Sequence, residues 1–187
     1  MAAKLIRLCY EGDLEGVRAA LQSGVDVNSK DEGGQTGLLR SLMAWRFVVK
    51  QKPIAVASLL LEQEDIDVNI SDDFDQTALH FAAMLDRNNE CLAKLLARQD
   101  LITVNQRDPR GRTPLWWAVR YNAVRCVQLL LSDVRTDPNI KDGDGESPLM
   151  VAVKCNLVAC VKLLLVDPRV DLMTRDRYKR SEEEVAR

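Results

Sequence analysis

His80 is the only histidine among the 187 residues, and it stands in the stretch QTALHFAA at residues 76–83. A histidine side chain can act as a general base, as the partner of a nucleophile or as a metal ligand. A zinc site needs three or four ligands, and the chain has no second histidine to contribute one. No cysteine stands at a spacing that would make a nucleophile pair with it. The sequence therefore predicts a structural role for His80.

Five cysteines could in principle form disulfides, bind a metal or act as nucleophiles: Cys9, Cys91, Cys126, Cys155 and Cys160. An odd number with a single close pair favours reduced thiols and an intracellular location. Cys91, Cys126 and Cys160 fall at one equivalent position of the repeat described below, and Cys9 falls at a position for small core residues. We expect these four to be buried and unbonded, whereas Cys155 could reach solvent.

Other motifs that carry chemistry are absent from the sequence. There is no phosphate-binding loop, no GxGxxG and no GxSxG. The stretch DGDGE at 142–146 has part of a calcium loop, but its twelfth position is Val153 and not the required glutamate. No cofactor and no metal are therefore expected, and the prediction is a protein without catalytic activity.

Charge and hydropathy exclude two further classes of protein. The formal net charge is −2, whereas a general polyanion-binding domain usually has a clear basic excess. No apolar run approaches the ~18–20 residues of a membrane span. The N-terminal sequence MAAKLIRLCYEGD lacks the apolar region of a signal peptide, so we expect no signal peptide. No membrane partner is expected either.

An internal repeat must position whatever binding residues the chain has. A hydroxyl residue followed by a short, mostly apolar stretch recurs at Thr36, Thr77, Thr113, Ser147 and Ser181, with spacings of 41, 36, 34 and 34 residues. An aspartate stands five residues before each hydroxyl. In four copies a Val-Asn or Pro-Asn pair ends three residues before that aspartate. Agreement at several positions at once is the signature of a repeat architecture.

Each repeat has the composition of two short antiparallel helices. The hydroxyl side chain can cap the first helix, and Pro114 and Pro148 follow it at the N1 position that tolerates proline. A second apolar block, such as VQLLL at 127–131, forms one stripe on the second helix. The stretches between repeats are rich in Gly and Asp, which suits tight turns. Neither helix pair can bury its stripe alone, so the repeats must stack.

The stretches TALH at 77–80, TPLW at 113–116 and SPLM at 147–150, with their Val-Asn tails and glycine-bearing turns, resemble the ankyrin repeat. The resemblance covers essentially the whole chain. It implies an all-α solenoid of stacked helix–turn–helix units with β-turn or hairpin fingers. In that family the histidine of the motif bonds the backbone near the turn and ties neighbouring repeats. His80 occupies this position.

The repeat pattern predicts a single domain over residues 1–187. The approximate units are an N-terminal capping repeat at 1–30, repeats at 31–71, 72–107, 108–141 and 142–175, and a truncated C-terminal cap at 176–187. The second unit carries an insertion at 46–53, RFVVKQKP. The insertion could lengthen a helix or serve a function, and it could equally be a tolerated loop.

In ankyrin arrays, partners bind in a concave groove that is formed by the fingers and the first helices. The exposed first-helix positions should lie seven and eight residues after each hydroxyl, and Tyr10 and Glu11 hold the same positions in the first repeat. The groove residues implied by the resemblance are Met43, Met84, Leu85, Arg120, Tyr121, Lys154 and Cys155. The finger residues are Asp73, Phe74, Asp75, Arg110, Arg112, Asp144, Glu146 and Tyr178.

The leading hypothesis is a monomeric protein-interaction scaffold whose most important contacts are at Met84, Leu85, Arg120 and Tyr121. Some of these apolar residues could instead pack between the repeats. The fingers alternate in charge, which could orient a partner or simply pair neighbouring fingers. The alternative function is binding of a phosphorylated small molecule or an oligonucleotide. The residues that motivate it mix guanidinium groups with aromatic rings: Arg110, Arg112, Trp116, Trp117, Arg120 and Tyr121.

Overall fold

The computed structural model describes residues 2–44, 52–84, 86, 89–98 and 102–173. Within these ranges the chain forms ten α-helices and no β-strand, with one isolated antiparallel bridge between Lys30 and Thr36. The helices are α1 (Ala2–Glu11), α2 (Leu14–Gln22), α3 (Gly37–Ala44), α4 (Lys52–Leu61), α5 (Ala78–Ala83), α6 (Asn89–Ala97), α7 (Pro114–Arg120), α8 (Val124–Ser132), α9 (Pro148–Lys154) and α10 (Val158–Val166).

The helices stack in two layers. The first helices α1, α3, α5, α7 and α9 contact one another in chain order, and the second helices α2, α4, α6, α8 and α10 do the same. Each odd-numbered helix also packs against the even-numbered helix that follows it. This arrangement confirms the predicted all-α solenoid, in which each unit buries its apolar stripe against its neighbours.

Hydroxyl side chains cap the N-termini of first helices, as predicted. The Thr113 hydroxyl accepts a hydrogen bond from the Trp116 backbone N–H at 3.2 Å, and the Ser147 hydroxyl accepts one from Met150 at 3.2 Å. Pro114 and Pro148 occupy the first helical positions of α7 and α9. The cap satisfies an N–H group that the helix itself cannot pair.

The recurring aspartates hold the fingers together. In the fourth repeat one carboxylate oxygen of Asp108 accepts hydrogen bonds from the backbone N–H groups of Arg110 and Arg112, at 3.0 and 2.9 Å. The finger aspartates Asp31, Asp72 and Asp142 accept the equivalent pair of bonds in their own turns. A side chain that closes a turn onto its own backbone explains why this residue type recurs at this spacing.

The asparagines of the Val-Asn pairs tie one repeat to the next. The Asn28 side-chain amide donates to the Asp65 carbonyl at 2.7 Å and accepts from the Asp67 backbone N–H at 2.9 Å. Asn105 and Asn139 make the same pair of contacts further along the chain. An amide has both a donor and an acceptor, so it can bridge two backbone groups of the neighbouring repeat.

The cysteines belong to the core. Cys91, Cys126 and Cys160 are the third residues of α6, α8 and α10, and each is fully buried and forms no disulfide. Cys9 is also fully buried, whereas Cys155 is half-buried. The predicted burial of the four core thiols is confirmed.

The extra residues of the second unit fall between its two helices. The helix α3 ends at Ala44 and α4 begins at Lys52, whereas only three residues separate α7 from α8. Residues 46–51 of the proposed insertion lie outside the described residues, as does the truncated cap at 176–187. In the described part of the chain, no helix is long and apolar enough to cross a bilayer.

Candidate functional site

His80 connects two repeats through its ring nitrogens. Its Nδ1 atom lies 3.2 Å from the Thr77 backbone nitrogen, which donates to it, and 3.0 Å from the Thr77 hydroxyl. Because Nδ1 accepts, the proton of the neutral ring belongs on Nε2, which lies 3.2 Å from the Arg112 carbonyl oxygen in the next finger. Burial lowers the pKa of His80 to about 4. The predicted structural role is confirmed.

Trp116 stands at the position equivalent to His80 one repeat later. Its ring is buried, and the indole Nε1 has no hydrogen-bond partner among the described residues. The Arg112 guanidinium lies over the ring, 5.2 Å from its centroid. The fourth repeat therefore has, at the position of His80, an indole that stacks with a guanidinium of its own repeat.

Trp117 is the centre of an aromatic cluster that supports the surface of the fourth repeat. Its indole Nε1 donates to the Asp108 carboxylate at 3.1 Å, and its ring makes edge contacts with His80 and Phe81 at centroid distances of 5.6 and 6.0 Å. The Tyr121 ring also contacts this indole, at a centroid distance of 6.0 Å and an interplanar angle of 48°. Since Trp117 is fixed by both a hydrogen bond and packing, it gives Tyr121 a rigid support.

Asp108 holds Arg112 in place within this cluster. The Arg112 Nη2 and Nε atoms lie 2.7 and 2.8 Å from one Asp108 carboxylate oxygen. Burial alone would raise the pKa of the Asp108 carboxyl, but hydrogen bonds from Arg112 outweigh it and the pKa is lowered. The carboxylate therefore stays ionised, and the guanidinium of Arg112 is committed to it.

This geometry bears on the phosphorylated-ligand hypothesis. Trp116 and Trp117 are buried, so their faces are not offered to a base or a sugar. Arg112 is half-buried and paired with Asp108. Of the six residues that motivated that hypothesis, the three that are exposed are Arg110, Arg120 and Tyr121.

The predicted groove residues divide into exposed and buried sets. Arg120 is exposed, Tyr121 is 47% exposed, and Lys154 reaches solvent while its Nζ atom lies 2.7 Å from a Glu146 carboxylate oxygen. Met43 and Cys155 are half-buried. Leu85 lies outside the described residues.

Met84 was expected to be exposed in the groove, and that expectation is wrong. Its side chain is only 4% exposed and belongs to the hydrophobic core. The helix α5 ends at Ala83, and Met84 follows it with helical backbone angles. A long, unbranched thioether side chain can turn inward from this position and fill space between repeats. The position that was predicted from the repeat is correct, but the direction of the side chain is not.

The predicted finger residues also differ in their exposure to solvent. Phe74 is 65% exposed at its finger, and its neighbours Asp73 and Asp75 are exposed with it. Arg110 and Asp144 are exposed on the next two fingers. Tyr178 lies outside the described residues.

Glu146 was expected to be exposed on the fifth finger, and that expectation is also wrong. It is only 9% exposed and accepts the hydrogen bond of Lys154 at 2.7 Å. The ion pair within the repeat draws this carboxylate against α9, so it supports the finger from inside.

Neighbouring fingers are linked through the backbone. The Gly143 N–H donates to the Arg110 carbonyl at 2.6 Å, and the Asp73 N–H donates to the Gly33 carbonyl at 3.4 Å. Arg107 adds a side-chain bond, because its Nη2 atom donates to the Lys141 carbonyl at 3.0 Å. These bonds link the second finger to the third and the fourth finger to the fifth.

The described part of the chain contains no candidate metal site. No group of three or more His, Cys, Asp and Glu side chains in these residues is placed to hold an ion.

Comparison with known proteins agrees with this architecture. The family model described as ankyrin repeats (3 copies) matches residues 42–142 and 108–176, which together span most of the chain. This chain belongs to the ankyrin-repeat family. A solved structure titled as EF0377, an ankyrin repeat protein, superposes with a TM-score of 0.86 over the whole chain and 91% of its own length. The two sequences are 22% identical, so this likeness shows the shared fold alone.

Ankyrin repeats are in general protein-interaction modules. The exposed residues of the fingers and first helices are therefore the ones to examine for binding. Sequence reasoning did not foresee a cavity of about 350 Å³ beside α1 and α3, although Tyr10, which lines it, was placed at a groove position.

Proposed function

We propose that this ankyrin-repeat chain is a non-catalytic scaffold that binds a segment of a partner protein along the concave surface of its fingers and first helices. The family's general role in protein interaction supports this proposal. Support also comes from the uneven surface of the fourth repeat, where large exposed side chains stand on a fixed support. Binding of this kind needs a few rigid anchors more than it needs a large contact area.

Tyr121 is the observation that carries the proposal. Nearly half of its surface is exposed, yet its ring leans on Trp117, whose indole is held by Asp108. Tyrosine and arginine are enriched among the residues that dominate binding energy, and Arg120 precedes Tyr121 directly. A pre-positioned aromatic ring loses little conformational freedom when a partner covers it.

Phe74 is a second exposed anchor. Its side chain is 65% exposed between Asp73 and Asp75, which are exposed as well. Phenylalanine is among the aromatic residues that are enriched at protein–protein interfaces, so an exposed ring at a finger suits a binding role. Acidic neighbours on either side favour a basic residue of the partner at this finger.

The buried cysteine thiols and His80 are in environments that disfavour catalysis, which supports a non-catalytic role. Burial raises the pKa of the Cys9 thiol to about 12 and also raises the pKa values of Cys91 and Cys160. A thiolate is the reactive form, and these sites disfavour it. His80 is buried, and both of its ring nitrogens are engaged in structural contacts. We retain reduced thiols, an intracellular location and a monomeric state as predictions.

The proposal is tested with a paired set of variants. The binding variant carries Arg120→Ala and Tyr121→Ala. The control carries Arg125→Ala and Val134→Ala, which remove an exposed arginine and an exposed apolar side chain from α8 and the loop after it. Both are compared with the unaltered chain in affinity capture from cell extract with and without nuclease treatment, after circular dichroism has shown that all three are folded.

We expect proteins that the unaltered chain and the control retain and that the binding variant loses, with at least about tenfold weaker capture. Equal capture by the two variants would contradict a site at Tyr121. Capture that disappears after nuclease treatment would favour the nucleic-acid alternative, and a steep fall with added salt would agree with it.

A further inference from the structure

The N-terminal end of the stack contains a cavity that the repeat pattern alone does not reveal. It has a volume of about 350 Å³ and lies beside α1 and α3. Its lining is mostly apolar with charged groups at one side: Ala3, Ile6, Arg7, Tyr10, Asp31, Arg40 and Met43. Concave sites with apolar walls and a few polar groups are the usual form of a binding pocket.

Asp31 is saturated by contacts within the chain. One carboxylate oxygen accepts from the backbone N–H groups of Gly33 and Gln35, at 3.0 and 2.9 Å. The other accepts from Nε and Nη2 of Arg40, at 2.8 and 2.6 Å. Asp31 therefore has little capacity left for a ligand, and its main effect is to fix the guanidinium of Arg40 at the cavity.

The cationic groups at the cavity keep unused capacity. The Nη1 atom of Arg40 has no hydrogen-bond partner among the described residues. The Arg7 side chain is 70% exposed and pairs with Glu11 at 3.5 Å across one turn of α1. An exposed pair of this kind contributes little, so Arg7 can exchange Glu11 for another carboxylate. The lining thus combines apolar walls with two guanidinium groups and one already occupied carboxylate.

We propose that this cavity receives an apolar side chain of an extended partner peptide, and that an acidic residue beside that side chain binds Arg7 and Arg40. Arginine binds carboxylates through paired hydrogen bonds, which would fix the direction of the peptide at this end. The space accepts a leucine, methionine or phenylalanine side chain against Ile6, Tyr10 and Met43. This inference rests on the proposed function, because it specifies the chemistry of the same partner.

The cavity and Tyr121 also define a spacing for the partner. The helices α1, α3, α5 and α7 contact one another in this order. The distance from the boundary of α1 and α3 to α7 is two and a half helix spacings, or about 20–25 Å at ~8–10 Å each. An extended chain rises about 3.3 Å per residue. The two anchor side chains of a single partner segment should therefore lie about six to eight residues apart.

Arg120 is exposed directly before the second anchor, and Arg110 is exposed on the finger of the same repeat. An acidic residue beside the partner's second apolar side chain would match them, as one matches Arg7 and Arg40 at the first. The partner segment therefore has two similar elements, each consisting of an apolar residue with an adjacent Asp or Glu.

A phage-displayed library of random peptides, long enough to span both anchors, is a direct probe. After selection on the full chain, enriched peptides are synthesised and their affinities are measured by fluorescence anisotropy. Ala3→Phe fills the cavity without removing a core side chain, and Arg7→Glu reverses the charge at its edge. Arg18→Glu is the matched control, because it reverses an exposed arginine on α2 that does not line the cavity. Thermal unfolding confirms that every variant is folded.

We expect enriched peptides to carry Leu, Met or Phe next to Asp or Glu, and Ala3→Phe and Arg7→Glu each to weaken binding by about tenfold or more. Arg18→Glu should change the affinity by less than about twofold. Peptides that lose affinity with Tyr121→Ala but not with Ala3→Phe or Arg7→Glu would overturn the cavity proposal and leave the proposed function standing. Enrichment of basic peptides, or of none, would also overturn it. Peptide affinities that none of these variants weakens would contradict both proposals.

Discussion

At the scale of single residues, His80 shows how the fold determines chemistry. The ring is fully buried between Thr77 and the Arg112 carbonyl, and both contacts suit the neutral form with the proton on Nε2. Burial lowers its pKa from 6.5 to about 4, so the folded chain resists protonation of this residue. The unfolded chain binds that proton more readily, and acid therefore favours unfolding.

The stability of the chain should depend on pH through His80. Its contribution is complete above the unfolded pKa of 6.5 and is lost as the pH falls toward about 4. At about pH 4.5 the loss should be on the order of 2 kcal/mol. Urea unfolding of the unaltered chain and of His80→Gln, each at neutral and acidic pH, measures it. The unaltered chain should lose more stability on acidification, and an equal loss in both would contradict the burial argument.

Residue identities alone do not decide which way a side chain points. The repeat placed Met84 and Arg120 at corresponding positions, seven residues after their hydroxyls, yet Met84 is in the core and Arg120 is exposed. Tyr121, the next residue, packs against the Trp117 ring at a centroid distance of 6.0 Å and is 47% exposed. Position in a repeat follows from sequence, whereas exposure depends on the volume of the neighbouring side chains.

At the scale of elements, the finger turn needs a residue with a positive φ angle. Gly34, Gly111 and Gly145 supply it at 70, 76 and 80°, and Asp75 holds the same place in the third repeat at 52°. A non-glycine residue in this conformation is strained, although aspartate tolerates it better than most. The turn aspartates and glycines were predictable from the sequence, and the strain at Asp75 follows from the same comparison.

Two substitutions at the residue with positive φ should change the free energy of unfolding in opposite directions. We expect Asp75→Gly to raise the free energy of unfolding by up to about 1 kcal/mol, since glycine adopts the angle without strain. Gly111→Asp should lower it by at least that much, because a Cβ atom there would lie 3.0 Å from the Gly143 backbone nitrogen and 2.6 Å from Arg107. Urea unfolding of the two variants tests this, and changes of the same sign would contradict it.

A recurring arginine closes the second helices. Arg98, Arg135 and Arg169 donate to the carbonyls of Leu61, Leu96 and Leu131 respectively, each near the end of the preceding repeat's second helix. Two of these arginines follow an aspartate by two residues and pair with it, at Asp133 and Asp167. The Asp-x-Arg pattern was visible in the sequence, but its role needs the helix ends that it joins.

Removing one of these arginines should lower the free energy of unfolding by more than removing an ordinary surface arginine does. Arg135→Ala leaves helix-terminal carbonyls unpaired and should destabilise the chain by about 1–2 kcal/mol. Arg125→Ala, on the exposed side of α8, should change the free energy of unfolding by less than about 0.5 kcal/mol. Chemical unfolding compares them, and losses of equal size would rule out a special role for Arg135.

At the scale of the whole molecule, periodicity predicted most of the fold. The hydroxyl caps gave the starts of α7 and α9, and the Leu-rich stripes gave the second helices, because a solenoid repeats its local contacts from unit to unit. The cavity at α1 and α3 could not be predicted, since it depends on how Tyr10, Met43 and the Asp31–Arg40 pair pack between two unlike repeats. The positions that repeat from unit to unit form the core. The positions that differ between units are the ones that can specify a particular function.

Tyr121 is proposed to serve binding while the buried core residues serve the fold, and one comparison tests this directly. Tyr121→Ala and Leu130→Ala are each measured for urea unfolding and for binding to the proteins that the unaltered chain retains. Leu130 is fully buried in α8, so its loss should cost ~2–5 kcal/mol, with binding preserved where the variant is still folded. Tyr121→Ala should cost about 1 kcal/mol at most and weaken binding by about tenfold or more. Equal losses of stability, or full binding by Tyr121→Ala, would contradict the claim.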